Sequence, residues 1–108
     1  MNVANSQRQV PSTVYSFSDI VVEPHNFRVL RCGELLPLEP RAFELLIFLI
    51  ENRGRVQKKE EIFEQVWKQS FVTDSALTQE IRSIRKAIGD DASAPRYIET
   101  VRKYGYRF

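Results

Sequence analysis

The chain has 108 residues, 43% hydrophobic and 28% charged, the size and balance of one ordinary globular domain with a single core. No apolar run approaches the ~20 residues needed to span a bilayer, and no secretory leader is recognisable at the start. The one cysteine, Cys32, has no partner for an internal disulfide, which suits a reducing, cytoplasmic setting.

A net charge of +2 is too small to argue for a polyanionic partner. Its distribution says more. Residues 1–74 carry nine Lys/Arg and ten Asp/Glu, a net of −1, while residues 75–108 carry seven and four, a net of +3. The cationic excess therefore sits in the last third, where an electrostatic footprint for nucleic acid would have to lie.

Taken in chain order, residues 1–13 are polar and aperiodic and read as a disordered tail or leader. The folded domain is expected over 14–108. Tyr15 to Val22 (Y-S-F-S-D-I-V-V) is β-branched and aromatic and predicts a strand. Pro24-His25-Asn26 is a turn, and Phe27 to Arg31 a second strand. Cys32-Gly33-Glu34 turns again, with Gly33 free to take a positive φ, ahead of a short third strand over Leu35–Leu38. His25 is the only histidine. It has no His, Cys or acidic companions at metal-ligand spacing, so no metal site is expected.

Pro40 suits a first helical position. Arg41 to Asn52 is apolar almost all round and predicts a buried helix, ended by Gly54. Val56 is expected in a bridging strand. Lys58 to Lys68 repeats apolar pairs, Ile62/Phe63 and Val66/Trp67, one helical turn apart, with Glu60 and Glu61 in the first turn. Trp67 is expected to support the core rather than stack on bases. Single-strand binders usually show several spaced exposed aromatics. Ser70 to Thr73 links this helix to the next, which Asp74 or Ser75 can cap.

On a wheel of roughly 100° per residue, Leu77, Ile81, Ile84 and Ile88 share one sector and predict a core-facing stripe. Ser75, Gln79, Arg82, Ser83 and Lys86 share the opposite sector. Thr78 and Arg85 lie at its flank, within reach of a phosphate backbone, and Glu80 is the one acid, off to the side. These are the residue types a major groove asks for. Arg and Lys match guanine O6 and N7, Gln matches adenine N6 and N7, and Ser or Thr adapts to a base or a phosphate. Cations at the edges neutralise phosphates and release counterions. A solvated amphipathic helix would show the same stripe.

Tyr97 to Val101 and Gly105 to Phe108 predict a hairpin tipped by Arg102, Lys103 and Tyr104. An Arg at such a tip can enter a narrow minor groove, where negative potential concentrates. Thr100 and Arg107 are candidate phosphate contacts, and Tyr106 and Phe108 candidate core. A groove-sized basic helix followed by a cation-tipped hairpin predicts an α+β winged helix-turn-helix: an N-terminal antiparallel sheet, three helices and a C-terminal β-hairpin wing. Double-stranded DNA is the expected partner.

The motifs Y-S-F-S-D-I, P-L-E-P-R-A-F-E-L-L, E-E-I-F-E-Q-V-W, I-R-S-I-R-K-A-I and T-V-R-K-Y-G-Y-R-F, spread from about Tyr15 to Phe108, resemble the OmpR/PhoB-type winged-helix family. The stretch F-V-T-D-S-A-L-T-Q-E-I-R-S-I-R-K and the Lys103 before Y-G-Y are closest to its ToxR/CadC-like one-component regulators. Response-regulator wings commonly carry Arg-Gly at the tip, and here Lys103 stands in the glycine position. The resemblance implies that residues 75–88 are a recognition helix, with Gln79, Arg82, Ser83 and Lys86 facing DNA. It implies Arg102 as the minor-groove residue and Thr100 as a phosphate contact. It likens residues 70–73 to a loop that in some relatives touches RNA polymerase. It also implies homodimers on DNA with half-sites about 10 bp apart. Such domains end at Y-R-F, so the chain is expected to be part of a longer protein, one that could be membrane-anchored elsewhere.

One alternative stays open, a winged helix whose outer face docks a protein; Glu80 and the low net charge keep it alive. An enzyme is not indicated. There is no catalytic Ser/His/Asp set, no Cys/His pair and no phosphate-cradling glycine loop, and no cofactor is implied. The acids Glu60/Glu61 and Asp90/Asp91 are adjacent in sequence and expected to be exposed, unlike a catalytic dyad.

Overall fold

The structure is a computed structural model that describes residues 13–68 and 72–108. The tail expected over 1–13 thus lies outside the described residues except for Thr13, and so do Ser70 and Phe71 of the expected linking loop.

The run Tyr15 to Val22 is two strands rather than one. Tyr15–Phe17 (β1) reverses through Ser18-Asp19 into Ile20–Glu23 (β2), with Phe17 opposite Ile20. Ser18 takes a φ of 51°. Ser and Asp favour turns through local side-chain to backbone bonds, a signal masked here by the β-branched residues on either side. Pro24–Asn26 is a single 3₁₀ turn closed by Phe27 in the left-handed region, at φ 52°. Arg28–Arg31 (β3) and Glu34–Leu35 (β4) complete an antiparallel sheet in the order β1-β2-β3-β4. The third strand expected over Leu35–Leu38 is shorter and starts earlier. Leu36 still donates its amide to the Val29 carbonyl, at 2.8 Å, but Pro37 has no N–H with which to continue the ladder. Ile20, Val22 and Val29 alternate into the core.

Pro40–Glu51 (α1) buries Ala42, Phe43, Leu45, Leu46, Leu49 and Ile50, as its all-round apolarity predicts. It ends at Asn52, whose amide and side chain both donate to the Phe48 carbonyl. Gly54, expected as the terminator, lies beyond the cap at φ 85° and donates its amide to the Phe108 carbonyl at 3.0 Å. The bridge expected at Val56 falls on Gln57–Lys58 (β5). Lys59–Ile62 (α2) begins with Glu61 accepting the Lys58 amide at 2.9 Å. It widens over Phe63–Trp67, where the Lys68 amide reaches back five residues to Phe63. Trp67 is buried beneath the Arg41 guanidinium, which lies 5.5 Å from its ring and donates to the Val66 carbonyl at 2.6 Å. It is core support, as expected.

Asp74–Ile88 (α3) follows, then Glu99–Val101 (β6) and Gly105–Arg107 (β7). A second sheet runs β5-β7-β6. The architecture is α+β: an antiparallel sheet, three helices around a shared core, and a C-terminal hairpin held to the body through β5. Among the described residues, no helix is long and apolar enough to cross a membrane.

Candidate nucleic-acid interface

The N-terminus of α3 is set by Thr73, not by Asp74 or Ser75. Its extended backbone lets Oγ1 accept the Ala76 amide at 3.2 Å, which satisfies one of the helix's free donors. Asp74 sits in the first turn and Arg85 and Lys86 in the last, both favourable for the helix dipole. Gly89, left-handed at φ 75°, ends the helix by donating to the Arg85 carbonyl.

Leu77, Ile81, Ile84 and Ile88 are all buried, as the wheel predicts. Ser75, Thr78, Gln79, Arg82 and Lys86 are exposed and Ser83 is half-buried. Gln79, Ser83 and Lys86 border an open groove of about 600 Å³ between α3 and the segment leading into α1, lined also by Arg31. Glu80 lies on the same flank. Burial, and then the Glu39 carboxylate, push its carboxyl above the usual carboxylate range, with Arg41 opposing them.

In the hairpin, Thr100 faces Tyr106 and Val101 faces Gly105. The tip closes with the Tyr104 amide on the Val101 carbonyl at 2.9 Å. Arg102, Lys103 and Tyr104 all stand in solvent. Lys103 is left-handed, at φ 70°, so the position that carries glycine in response-regulator wings keeps a glycine-like conformation here. Tyr106 is buried, and Phe108 packs edge-on against Phe17 at 5.2 Å. Arg107 is not a free cation. It donates to Glu99 through Nε at 3.0 Å and Nη2 at 2.6 Å.

Two residues are placed differently from the sequence expectation. Arg85, expected at a phosphate-facing flank, folds inward with its side chain only 12% exposed. Its Nη2 donates to the Ile98 carbonyl at 2.7 Å and to Thr100 Oγ1 at 3.0 Å. Asp90, expected to be exposed beside Asp91, has a side chain that is 0% exposed, 3.9 Å from Arg85 Nε. Its carboxylate accepts the amides of Arg96 (2.7 Å), Tyr97 (3.4 Å) and Ile98 (2.9 Å). Without Asp90 three backbone donors in the helix-to-wing connection would lack this acceptor. The only sequence trace of this arrangement is an acid directly after the helix-ending glycine.

Cys32 is exposed and donates Sγ–H to Asp19 at 3.3 Å. That bond and the negative charge beside it push the thiol pKa up, opposite to what a reactive thiolate needs. Among the described residues, no group of His, Cys, Asp or Glu is placed to hold a metal ion.

The surface is thus an exposed, donor-rich helix face joined by buried side chains to a hairpin with two cations at its tip. Residues 33–108 match the family model described as transcriptional regulatory protein, C terminal. The chain belongs to this family. It is a family of transcriptional regulators rather than enzymes, and this member is of OmpR/PhoB type and similar to CadC. The transcriptional activator CadC of Escherichia coli (strain K12) is 41% identical over 88 residues, which are 81% of this chain and 17% of CadC. The chain therefore spans about a sixth of that relative's length. The solved DNA-binding domain of E. coli CadC superposes with a TM-score of 0.76 at 36% identity, covering 91% of this chain and 92% of that one. The DNA-binding domain of RstA from Klebsiella pneumoniae, solved in complex with the RstA box, gives a TM-score of 0.79 at 27% identity, covering 89% and 96%.

Proposed function

We propose that residues 14–108 form a sequence-specific duplex-DNA-binding domain of a transcriptional regulator, with α3 in the major groove and the 97–108 hairpin at the minor groove. The observation that carries this reading is that Gln79, Arg82, Ser83 and Lys86 lie on the outer side of α3 and Arg102 and Lys103 stand in solvent at the hairpin tip, the two elements being joined by the Arg85–Thr100 bond. Six polar or cationic side chains on two adjoining elements match a groove and its flanking phosphates.

The roles follow from the chemistry. Gln79, Arg82, Ser83 and Lys86 read base edges. Ser75, Thr78 and Thr100 contact phosphate oxygens as hydroxyl donors. Arg102 enters the minor groove, and Lys103 neutralises a phosphate beside it. The domain acts in the cytoplasm, pairs with a second copy on repeated half-sites about 10 bp apart, and presents the 70–73 loop towards RNA polymerase.

The test is selection from random duplexes with the purified chain, followed by a salt titration on the winning site. An enriched motif is expected, with log K falling against log salt by about 0.9 per neutralised phosphate, several units in all. No enrichment and a flat salt response would overturn the reading in favour of a protein-docking winged helix.

A further inference from the structure

We propose that Arg85 is a positioning residue, working through Ile98 and Thr100 to hold the wing at a set angle to the reading face rather than touching DNA itself. The proposal rests on the duplex-binding reading above. Ile98 is the residue at which the chain enters the wing, and it is fastened three ways. Its side chain is fully buried, its amide donates to Asp90 Oδ2 at 2.9 Å, and its carbonyl accepts Arg85 Nη2 at 2.7 Å. One polar fastening comes from Arg85 in the last turn of α3 and the other from Asp90, just past the Gly89 cap. A rotation of that helix is therefore carried directly into the first wing strand.

The second Arg85 bond extends the device. Thr100 Oγ1 accepts from Nη2 at 3.0 Å. A hydroxyl carries one donor beside its acceptor sites, so Thr100 keeps its own proton to donate outward, and its side chain is on the exposed surface. The arginine is a charge-assisted donor and so orients that hydroxyl. Its own charge is 12% exposed and lies 3.9 Å from Asp90, so it is poorly placed to replace a counterion on DNA. A direct contact and a positioning role thus differ in what salt reports.

Arg85→Lys keeps the charge but loses the planar fork. Thr100→Val removes the outer acceptor together with the hydroxyl proton offered to phosphate and leaves Arg85, Ile98 and Asp90 in place. It stays informative should the first variant unfold, because the flank preference should weaken and a wild-type flank preference would overturn the proposal. Each is measured for its salt slope on the selected site and for its preference among A·T-rich flanks, which reports the tip. The expected result for Arg85→Lys is a slope reduced by about 2, as Arg102 and Lys103 both disengage, with the flank preference lost and the base preference along α3 kept. The double variant should be no worse than the more impaired single one. A wild-type slope and flank preference would overturn the proposal, since Arg85→Lys keeps the charge and so preserves a direct phosphate contact. Amide exchange on the free chain separates this failure from failure of the DNA reading. Arg85→Lys should speed exchange across 98–107 and leave 45–49 as in wild type, whether or not any duplex binds, and unchanged hairpin exchange would overturn the proposal.

Discussion

A Cβ placed on Gly105 would stand 1.9 Å from the carbonyl oxygen of Gln57. Gly105 faces Lys58 across the β5–β7 pair, and the two backbones approach too closely for any side chain. The requirement is space, because Gly105 has no positive φ. Gly105→Ala must therefore push β5 off the hairpin. It should cost about 3 kcal/mol or more, at the upper end of overpacking penalties. A denaturant melt measures this, and a loss below about 1 kcal/mol would show that the strands shift apart freely.

Lys103 holds a left-handed backbone at φ 70°, which costs a non-glycine residue about 1 kcal/mol. Lys103→Gly removes the strain and the charge together, and the two effects part company in experiment. The melting temperature should rise, while the slope of log K against log salt should shrink by about 1. A lower melting temperature would mean that unfolded-chain entropy outweighs the relief of strain.

Arg82 is exposed, midway along α3. Arg82→Ala should cost about 1–3 kcal/mol on the preferred site and relax base preference at one position. Selection repeated with the variant reads both. An unchanged motif would place that arginine away from the bases.

Arg102 differs in what it reads. At the hairpin tip it is expected to sense groove width rather than base identity. Arg102→Ala should weaken binding chiefly on sites with A·T-rich flanks. Equal weakening on all flanks would mark an ordinary phosphate contact.

Glu80 gives a pH signature. Burial and the nearby Glu39 carboxylate raise its pKa in the folded state, so the native protein holds the proton more tightly than the unfolded chain. The group's contribution to stability is then fully present below the unfolded carboxyl pKa, about 4.3. It is lost as pH rises through the raised folded value. Glu80→Gln should consequently raise the melting temperature at pH 7, and the gain should fade near pH 4. Equal gains at both pH values would assign the effect to packing instead of charge.

The exposed face of α3 is legible because it obeys a local period. Leu77, Ile81, Ile84 and Ile88 repeat at helical spacing, so burying one side of α3 forces Gln79, Arg82 and Lys86 to the other, whatever lies beneath. The same logic covers α1, where near-continuous apolarity buries most of the helix and leaves only Pro40, Glu44 and Glu51 exposed, and the hairpin, where Y-G-Y between two basic residues marks a reversal. Boundaries were harder to read. Ser18-Asp19 turns the chain with no glycine or asparagine to signal it. The C-terminal cap of α1 fell to Asn52 because its side chain could reach the Phe48 carbonyl before Gly54 was needed.

By itself the sequence determined the order of elements, the core stripe of each helix and the cationic character of the last third, since all of these depend on residues close together along the chain. Only the tertiary structure decided that Arg85 turns inward to Ile98 and Thr100, that Asp90 is buried against three amides, and that Gln57 lies against Gly105. Those pairings join residues up to 48 positions apart. A charged side chain at a helix flank reads the same in sequence whether it faces a phosphate or a carbonyl of its own chain. Which it meets is settled by what the fold brings within hydrogen-bond reach.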